Sequence, residues 1–165
     1  MIGSDPIGKS GVKLQTMKKI IVIYMLVVVA LNANAQKLNP VKWTFEAVKK
    51  ADKQYEIVFT ANIDAPWHIY SMFVNKGPVP TKISFKKNAL VQLKGTTREI
   101  GKVEKQFDKN FGAVIATFSN KVQYIQNVSL RATSKTMIAG EIEYMACNDN
   151  RCLPSAKVPF EVVIQ

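Results

Sequence analysis

The residues best able to do chemistry lie in one short segment, Tyr144-Met-Ala-Cys147-Asn-Asp-Asn-Arg-Cys152-Leu-Pro154, which holds both of the chain's cysteines. A strand-like pattern ends at Ala146 and another starts at Lys157, so the pair falls at a connection between strands. A hairpin there brings the two Cα atoms into the ~4.4–6.8 Å range that a disulfide bridges. A ring this small removes little unfolded-state entropy, roughly 2 kcal/mol against ~4.7 for a 100-residue loop. A purely structural bridge gains more by joining two sheets. Arg151 beside Cys152 favours the thiolate, the form that attacks a disulfide, and Asp149 opposes it. Two readings stand on these residues: a reversible dithiol/disulfide, and a hairpin staple.

Other chemistries fit less well. His68 is the single histidine. Cys147, Cys152, His68 and Asp149 do not have zinc-site spacing, so no metal is expected. A cysteine nucleophile with His68 as base would be capped by the neighbouring cysteine under oxidising conditions. His68 itself belongs to a second informative stretch, Asp64-Ala-Pro-Trp-His-Ile-Tyr-Ser71, followed by Gly77-Pro-Val-Pro-Thr81. Trp67 reads most simply as a core anchor and His68 as a polar residue satisfied by a neighbour. The functional alternative sets His68 or Tyr70 against the cysteine loop, shielding it or tuning its pKa. The candidate shell around the cysteines is Tyr70, His68, Trp67, Tyr144, Arg151 and Pro154.

These residues must be held by a fold. The chain has 165 residues, 47% hydrophobic and 21% charged, which suits one globular domain and excludes a disordered chain. Two cysteines exclude a disulfide-dense mini-protein. Not every residue is expected to belong to the domain. Met17-Lys18-Lys19, the apolar run Ile20 to Leu31 and Ala33-Asn34-Ala35 form a secretory signal peptide over 17–35, cut after Ala35. The apolar run is short of the ~20 residues a membrane span needs. Residues 1–16 are set aside as a cloning remnant or an over-long gene start. The domain is then 36–165, in the periplasm, where cysteines meet an oxidising environment.

The formal charge is +11, and +8 once Asp5, Lys9, Lys13, Lys18 and Lys19 are removed with residues 1–35. The lysines are scattered, which reads as a solvated basic surface. Export argues against nucleic acid as a partner. A basic scaffold for anionic glycans or membrane surfaces would rest on this charge alone.

From Val41 onward the hydrophobic pattern has period two. Val41, Trp43, Phe45 and Ala47 alternate with polar residues. So do Tyr55, Ile57, Phe59 and Ala61, then Ile83 and Phe85, and near the end Val158, Phe160, Val162 and Ile164. Ile138, Gly140, Ile142, Tyr144 and Ala146 share one face, opposite Met145. Val114 to Phe118 is a short apolar run, and Val122 to Leu130 alternates imperfectly. Gly101 to Asn110 is the one stretch read as a turn of helix. Turn signals at Lys50–Lys53, Asp64–Pro66, Asn75–Pro78, Lys94-Gly95 and Ser119-Asn120 separate these runs. Seven to nine short strands at this spacing predict an all-β, immunoglobulin-like antiparallel sandwich in a single domain.

The order Trp-His-Ile-Tyr-Ser (67–71), Gly-Pro-Val-Pro-Thr (77–81) and Tyr-Met-Ala-Cys-Asn-Asp-Asn-Arg-Cys-Leu-Pro (144–154) resembles the N-terminal periplasmic domain of the DsbD thiol:disulfide interchange family. The resemblance spans about Trp43 to Ile164. It implies an immunoglobulin-like domain with its active cysteines at one end of the sandwich. It implies that Cys152 forms the mixed disulfide with a partner and Cys147 resolves it, with Tyr70 packed near the pair. It implies a thioredoxin-like donor domain on a membrane electron transporter. The implied acceptors are oxidised periplasmic isomerases or cytochrome c maturation proteins. It also implies a cap loop over the disulfide, which by order along the chain falls near Thr97–Lys102, with Thr97, Arg98, Glu99 and Ile100 as candidates. Many relatives have one more residue between the cysteines and a second proline where Ser155 stands. Family chains continue into membrane and thioredoxin-like domains, so the donor here is expected to be a separate protein.

The resulting expectation is a monomeric periplasmic thiol–disulfide oxidoreductase module that needs no bound cofactor, because the electrons travel in the cysteines. The rival from another class is an exported immunoglobulin-like binding module whose hairpin disulfide is structural.

Overall fold

Alternating apolar and polar residues give a strand one buried and one solvated face, and two sheets of such strands can close over a shared core. The chain does this. The computed structural model describes residues 38–75 and 77–165, and Lys19; the expected leader at 17–35, Lys19 apart, and residues 1–16 lie outside them. Asn39–Gln165 forms one compact unit. Among the described residues its strands are β1 (Val41–Ala51), β2 (Gln54–Ile63), β3 (His68–Tyr70), β4 (Lys82–Phe85), β5 (Val91–Asp108), β6 (Ala113–Leu130), β7 (Thr136–Tyr144), β8 (Ala146–Cys147) and β9 (Ala156–Ile164).

All the pairings are antiparallel. The larger sheet runs β1-β2-β6-β3-β8 with β5 also along β6, and the smaller runs β4-β7-β9. The architecture is the all-β, immunoglobulin-like antiparallel sandwich that the alternation predicts. The core between the sheets is aromatic at its centre. Phe160 packs edge-on against Phe59 at 4.8 Å and against Phe85 at 5.6 Å, while Trp43 lies between Tyr124 and Tyr144.

Three local expectations are corrected. Gly101 to Asn110 is not helical: through Asp108 it belongs to β5, whose backbone groups are paired by β6. β5 lacks alternation because it is an exposed edge strand. Its Lys94, Arg98, Lys102 and Lys105 suit that position, since charge discourages further strand pairing. Lys94-Gly95 and Ser119-Asn120 do not reverse the chain. The first is a register shift within β5, with Gly95 at φ 65°, and the second a kink inside β6, with Asn120 at φ 63°. Gly and Asn tolerate left-handed backbone, so the same residues serve a turn or a kink. Two of the strands, β5 and β6, are 18 residues long rather than short.

β6 positions the site. Along one side β5 accompanies it, and on the other β2 takes Lys121–Ser129 while β3 takes Thr117–Ser119. β8 then adds beside β3. The chain reaches β8 by leaving the small sheet after Tyr144 and entering the large one at Ala146, with Met145 as the crossing residue.

Candidate functional site

Pairing of β3 with β8 sets His68 directly opposite Cys147 and Ile69 opposite Ala146. Side chains alternate along a strand, so residues opposite one another share a face. Ile69 and Ala146 point into the sandwich core with Trp67 and Tyr144. Cys147 and Tyr70 form a separate cluster with Ile115, flanked by Val74, Phe111, Met145 and Cys152. His68, two residues before Tyr70, lies on that same face. The cysteines therefore sit on the face of the large sheet that points away from the core.

Cys147 and Cys152 are joined, with Cα atoms 4.0 Å apart. Cys147 is fully buried and Cys152 partly exposed. The hairpin between them is already held without the bridge. Asn148 N donates to the Arg151 carbonyl and Leu153 N to the Ala146 carbonyl, both at 2.9 Å. Asn148 Oδ1 accepts from the backbone N–H groups of Asn150 and Arg151.

The tip of the β5–β6 hairpin, 108–112, folds over this face. Asp108 shapes the tip: its Oδ1 accepts from Asn110 N at 2.8 Å, and its carbonyl accepts from Gly112 N at 2.8 Å. Gly112 takes φ 63° to close the turn, a conformation that side chains disfavour. The other carboxylate oxygen, Oδ2, accepts from the Tyr70 hydroxyl at 2.5 Å. Phe111 stands edge-on to the Tyr70 ring at 6.0 Å. A cavity of about 40 Å³ lies between tip and cysteine loop, lined in part by His68, Asp108, Lys109, Asn110, Asn148 and Asp149.

His68 completes a buried chain of three polar groups. Its Nε2 is 3.3 Å from the Tyr70 hydroxyl and 3.7 Å from Asp108 Oδ2. Burial pushes the imidazole below its ordinary 6.5, outweighing Asp108, Asp149 and Glu104, which pull it up. Burial alone would raise the Asp108 carboxyl, but hydrogen bonds from Tyr70 and Asn110, with His68 nearby, hold it below 3.8. Burial, then the bond to Asp108 and its charge, push the Tyr70 hydroxyl far above its ordinary range.

Both depressed values have the same consequence for stability. The unfolded chain binds protons that the folded one does not, so stability rises with pH in each window. It is complete above about pH 6.5 and falls as pH drops from there through the lower folded value of His68. Asp108 adds a second loss below 3.8. In urea titrations from pH 8 to 4, His68→Gln should abolish the loss that sets in below 6.5; an unchanged slope there would place the titration elsewhere.

The structure brings some of the candidate shell together and separates the rest. His68 and Tyr70 are on the cysteine face. Trp67 and Tyr144 are on the core face, and the Arg151 guanidinium lies 6.0 Å over the Trp67 ring. Pro154 is exposed on the way to β9. Thr97, Arg98, Glu99 and Ile100 do not form a loop over the disulfide. They lie within β5, where Arg98, Glu99 and Ile100 pair with β6. Thr97 bonds Gln126, Arg98 pairs with Glu56, Glu99 accepts from Ser71 Oγ and Met72 N, and Ile100 is exposed. The covering loop is instead 108–112. Asp108, Phe111 and Met145 were not among the sequence candidates. The signal for the first two was Asp-Lys-Asn-Phe-Gly, a turn-forming run around an aromatic; for Met145 it was alternation with Tyr144 and Ala146.

Fold and site together define an antiparallel β-sandwich bearing a disulfide with one buried and one partly exposed cysteine under a hairpin tip, with a buried His–Tyr–Asp chain beside it. No protein-family model matches the sequence, and no curated protein matches it. Among solved structures, the chain is similar to the N-terminal domain of DsbD from Neisseria meningitidis in its reduced form. The identity is 18%, over 79% of this chain and 91% of that chain, with a TM-score of 0.45.

Proposed function

We propose that the protein exchanges thiols and disulfides through Cys147 and Cys152, relaying reducing equivalents between a thioredoxin-like donor domain and oxidised exported proteins. The observation that carries this reading is the placement of the disulfide. It closes a hairpin that backbone bonds already hold, on the face away from the core, with one cysteine buried and the other within reach of solvent. A bridge there adds only roughly 2 kcal/mol of stability, and a staple joining the two sheets would add more.

In the proposed cycle the reduced pair is the starting state. The Cys152 thiolate attacks a partner disulfide, forming a mixed disulfide and expelling the partner's other sulfur as a thiolate. Cys147 then attacks Cys152, the internal disulfide forms, and the partner leaves with two electrons. A donor dithiol reverses these steps. The leader pattern at 17–35 supports a periplasmic setting. The resemblance of the cysteine segment to the DsbD family supports a membrane electron transporter as donor, and disulfide isomerases or cytochrome c maturation proteins as acceptors.

The test is the reduction potential of the pair, measured by trapping free thiols in graded thiol/disulfide buffers. A value above about −300 mV, with exchange in seconds to minutes, is expected. A much lower value with a thiol-inert bridge would make the disulfide structural and the protein a binding module.

A further inference from the structure

The proton chemistry of the exchange needs a base near the buried cysteine. Cys147 is fully buried, and burial in apolar surroundings raises a thiol's pKa, which suppresses the thiolate that must attack. Its opposite neighbour across the strand pair is His68, and residues so placed have Cβ atoms about 4.5–5.5 Å apart. The hydrogen-bond chain beyond His68 has one self-consistent direction. The ionised Asp108 carboxylate only accepts. The Tyr70 hydroxyl has one proton and donates it to Asp108, so its oxygen accepts from His68 Nε2–H. In the neutral imidazole the free lone pair is then on Nδ1.

We propose that His68 is the proton acceptor for the Cys147 thiol in the resolving step, and that Asp108, through Tyr70, fixes its tautomer and steadies the imidazolium that forms. This deepens the exchange reading above and rests on it. Starting from the Cys152–partner mixed disulfide, the Cys147 S–H bond breaks and its proton goes to His68 Nδ1. The thiolate attacks Cys152 Sγ, the Cys147–Cys152 bond forms, and the Cys152–partner bond breaks. The partner sulfur leaves with the electron pair and takes a proton from the imidazolium or from water in the adjoining cavity. The groups that face His68 are Tyr70 on its own strand, Glu104 and Asp108 on β5, Lys109 at the hairpin tip, Cys147 on β8 and Asp149 in the cysteine loop. With burial outweighing these acids, the imidazole is neutral at pH 7 and able to accept.

The experiment mixes reduced full-length protein with glutathione disulfide and quenches with acid at intervals. Mass spectrometry then reads two rates: formation of the glutathione adduct at Cys152, and its loss as the internal disulfide closes. In the unaltered protein the closing rate should fall as pH drops through the folded His68 value, which burial holds below 6.5. His68→Gln should leave adduct formation within a few-fold and slow closing at pH 7 by about 100-fold, the lower end of what a positioned base contributes. Its closing rate should then climb with pH like that of an unassisted thiol. Asp108→Asn, which keeps the imidazole, should slow closing and move the pH midpoint lower, because the carboxylate that raises the His68 pKa is gone. Closing in both variants at the original rate with the original pH profile overturns the assignment while leaving the exchange reading intact. Neither an adduct nor an internal disulfide forming in the unaltered protein overturns both. If His68→Gln does not fold, the Asp108→Asn profile decides alone: a lowered midpoint supports the assignment, and an unmoved one refutes it.

Discussion

Cys147→Ala should accumulate a stable mixed disulfide at Cys152, and Cys152→Ala should not form one at Cys147. Both variants lose the same bridge, so both should lose the same stability, about 2 kcal/mol at most. Their chemistry should differ because their sulfurs differ in access. With Cys147 gone, Cys152 is partly exposed and still attacks, but nothing resolves the adduct. With Cys152 gone, Cys147 is buried among Tyr70, Ile115 and Met145. Burial in apolar surroundings disfavours the thiolate, and the packing around the sulfur excludes a partner as well. Non-reducing electrophoresis and mass spectrometry after incubation with glutathione disulfide read the difference. Equal adduct in the two variants would show that position does not assign the two roles, and no adduct in either would leave the staple reading.

The second large effect is on the fold. Gly140→Ala should destabilise the protein by about 3 kcal/mol, at the upper end of what overpacking a core costs. Gly140 lies in β7 opposite both Phe85 of β4 and Phe160 of β9. A Cβ there would overlap the Ser84 carbonyl oxygen and come within 2.5 Å of the Phe160 ring. The carbonyl is backbone and cannot turn aside without parting β4 from β7. Phe160 cannot retreat either, because Phe45, Phe59 and Phe85 surround it. For a domain of this size the melting temperature should fall by roughly 10 °C or more in a thermal scan. A change of under about 2 °C would mean that the small sheet shifts freely. Gly95→Ala is the useful comparison: its Cβ meets nothing within 4 Å, so any cost there reflects only the left-handed backbone at φ 65°.

Period-two patterning was legible wherever a strand has one face in the core. Trp43 and Phe45 in β1, Ile57 and Phe59 in β2, Ile142 and Tyr144 in β7, and Phe160 and Val162 in β9 all point inward as the pattern predicts. The cysteine pair and its hairpin were also legible, because five positions of separation and a polar intervening loop are local facts. β5 was not legible, since an exposed edge strand has no buried face to make a pattern, and its polar residues read as a helical turn. The cap was misplaced for a related reason. Order along the chain suggested 97–102, but β5 runs on through that segment, and the chain turns back only at Asp108–Gly112.

Local alternation reports which face a residue occupies, but not which strand lies beside it. The sequence therefore determined an antiparallel sandwich, a cysteine hairpin, and a polar and aromatic cluster at 67–71. Tertiary structure alone decided that β3 inserts between β6 and β8, which sets His68 opposite Cys147. It also decided that Asp108, 38 residues from Tyr70, returns to accept its hydroxyl proton. Such pairings are set by how long-range strand registers satisfy one another's backbone and bury both faces of a strand, and no single stretch of sequence contains that information.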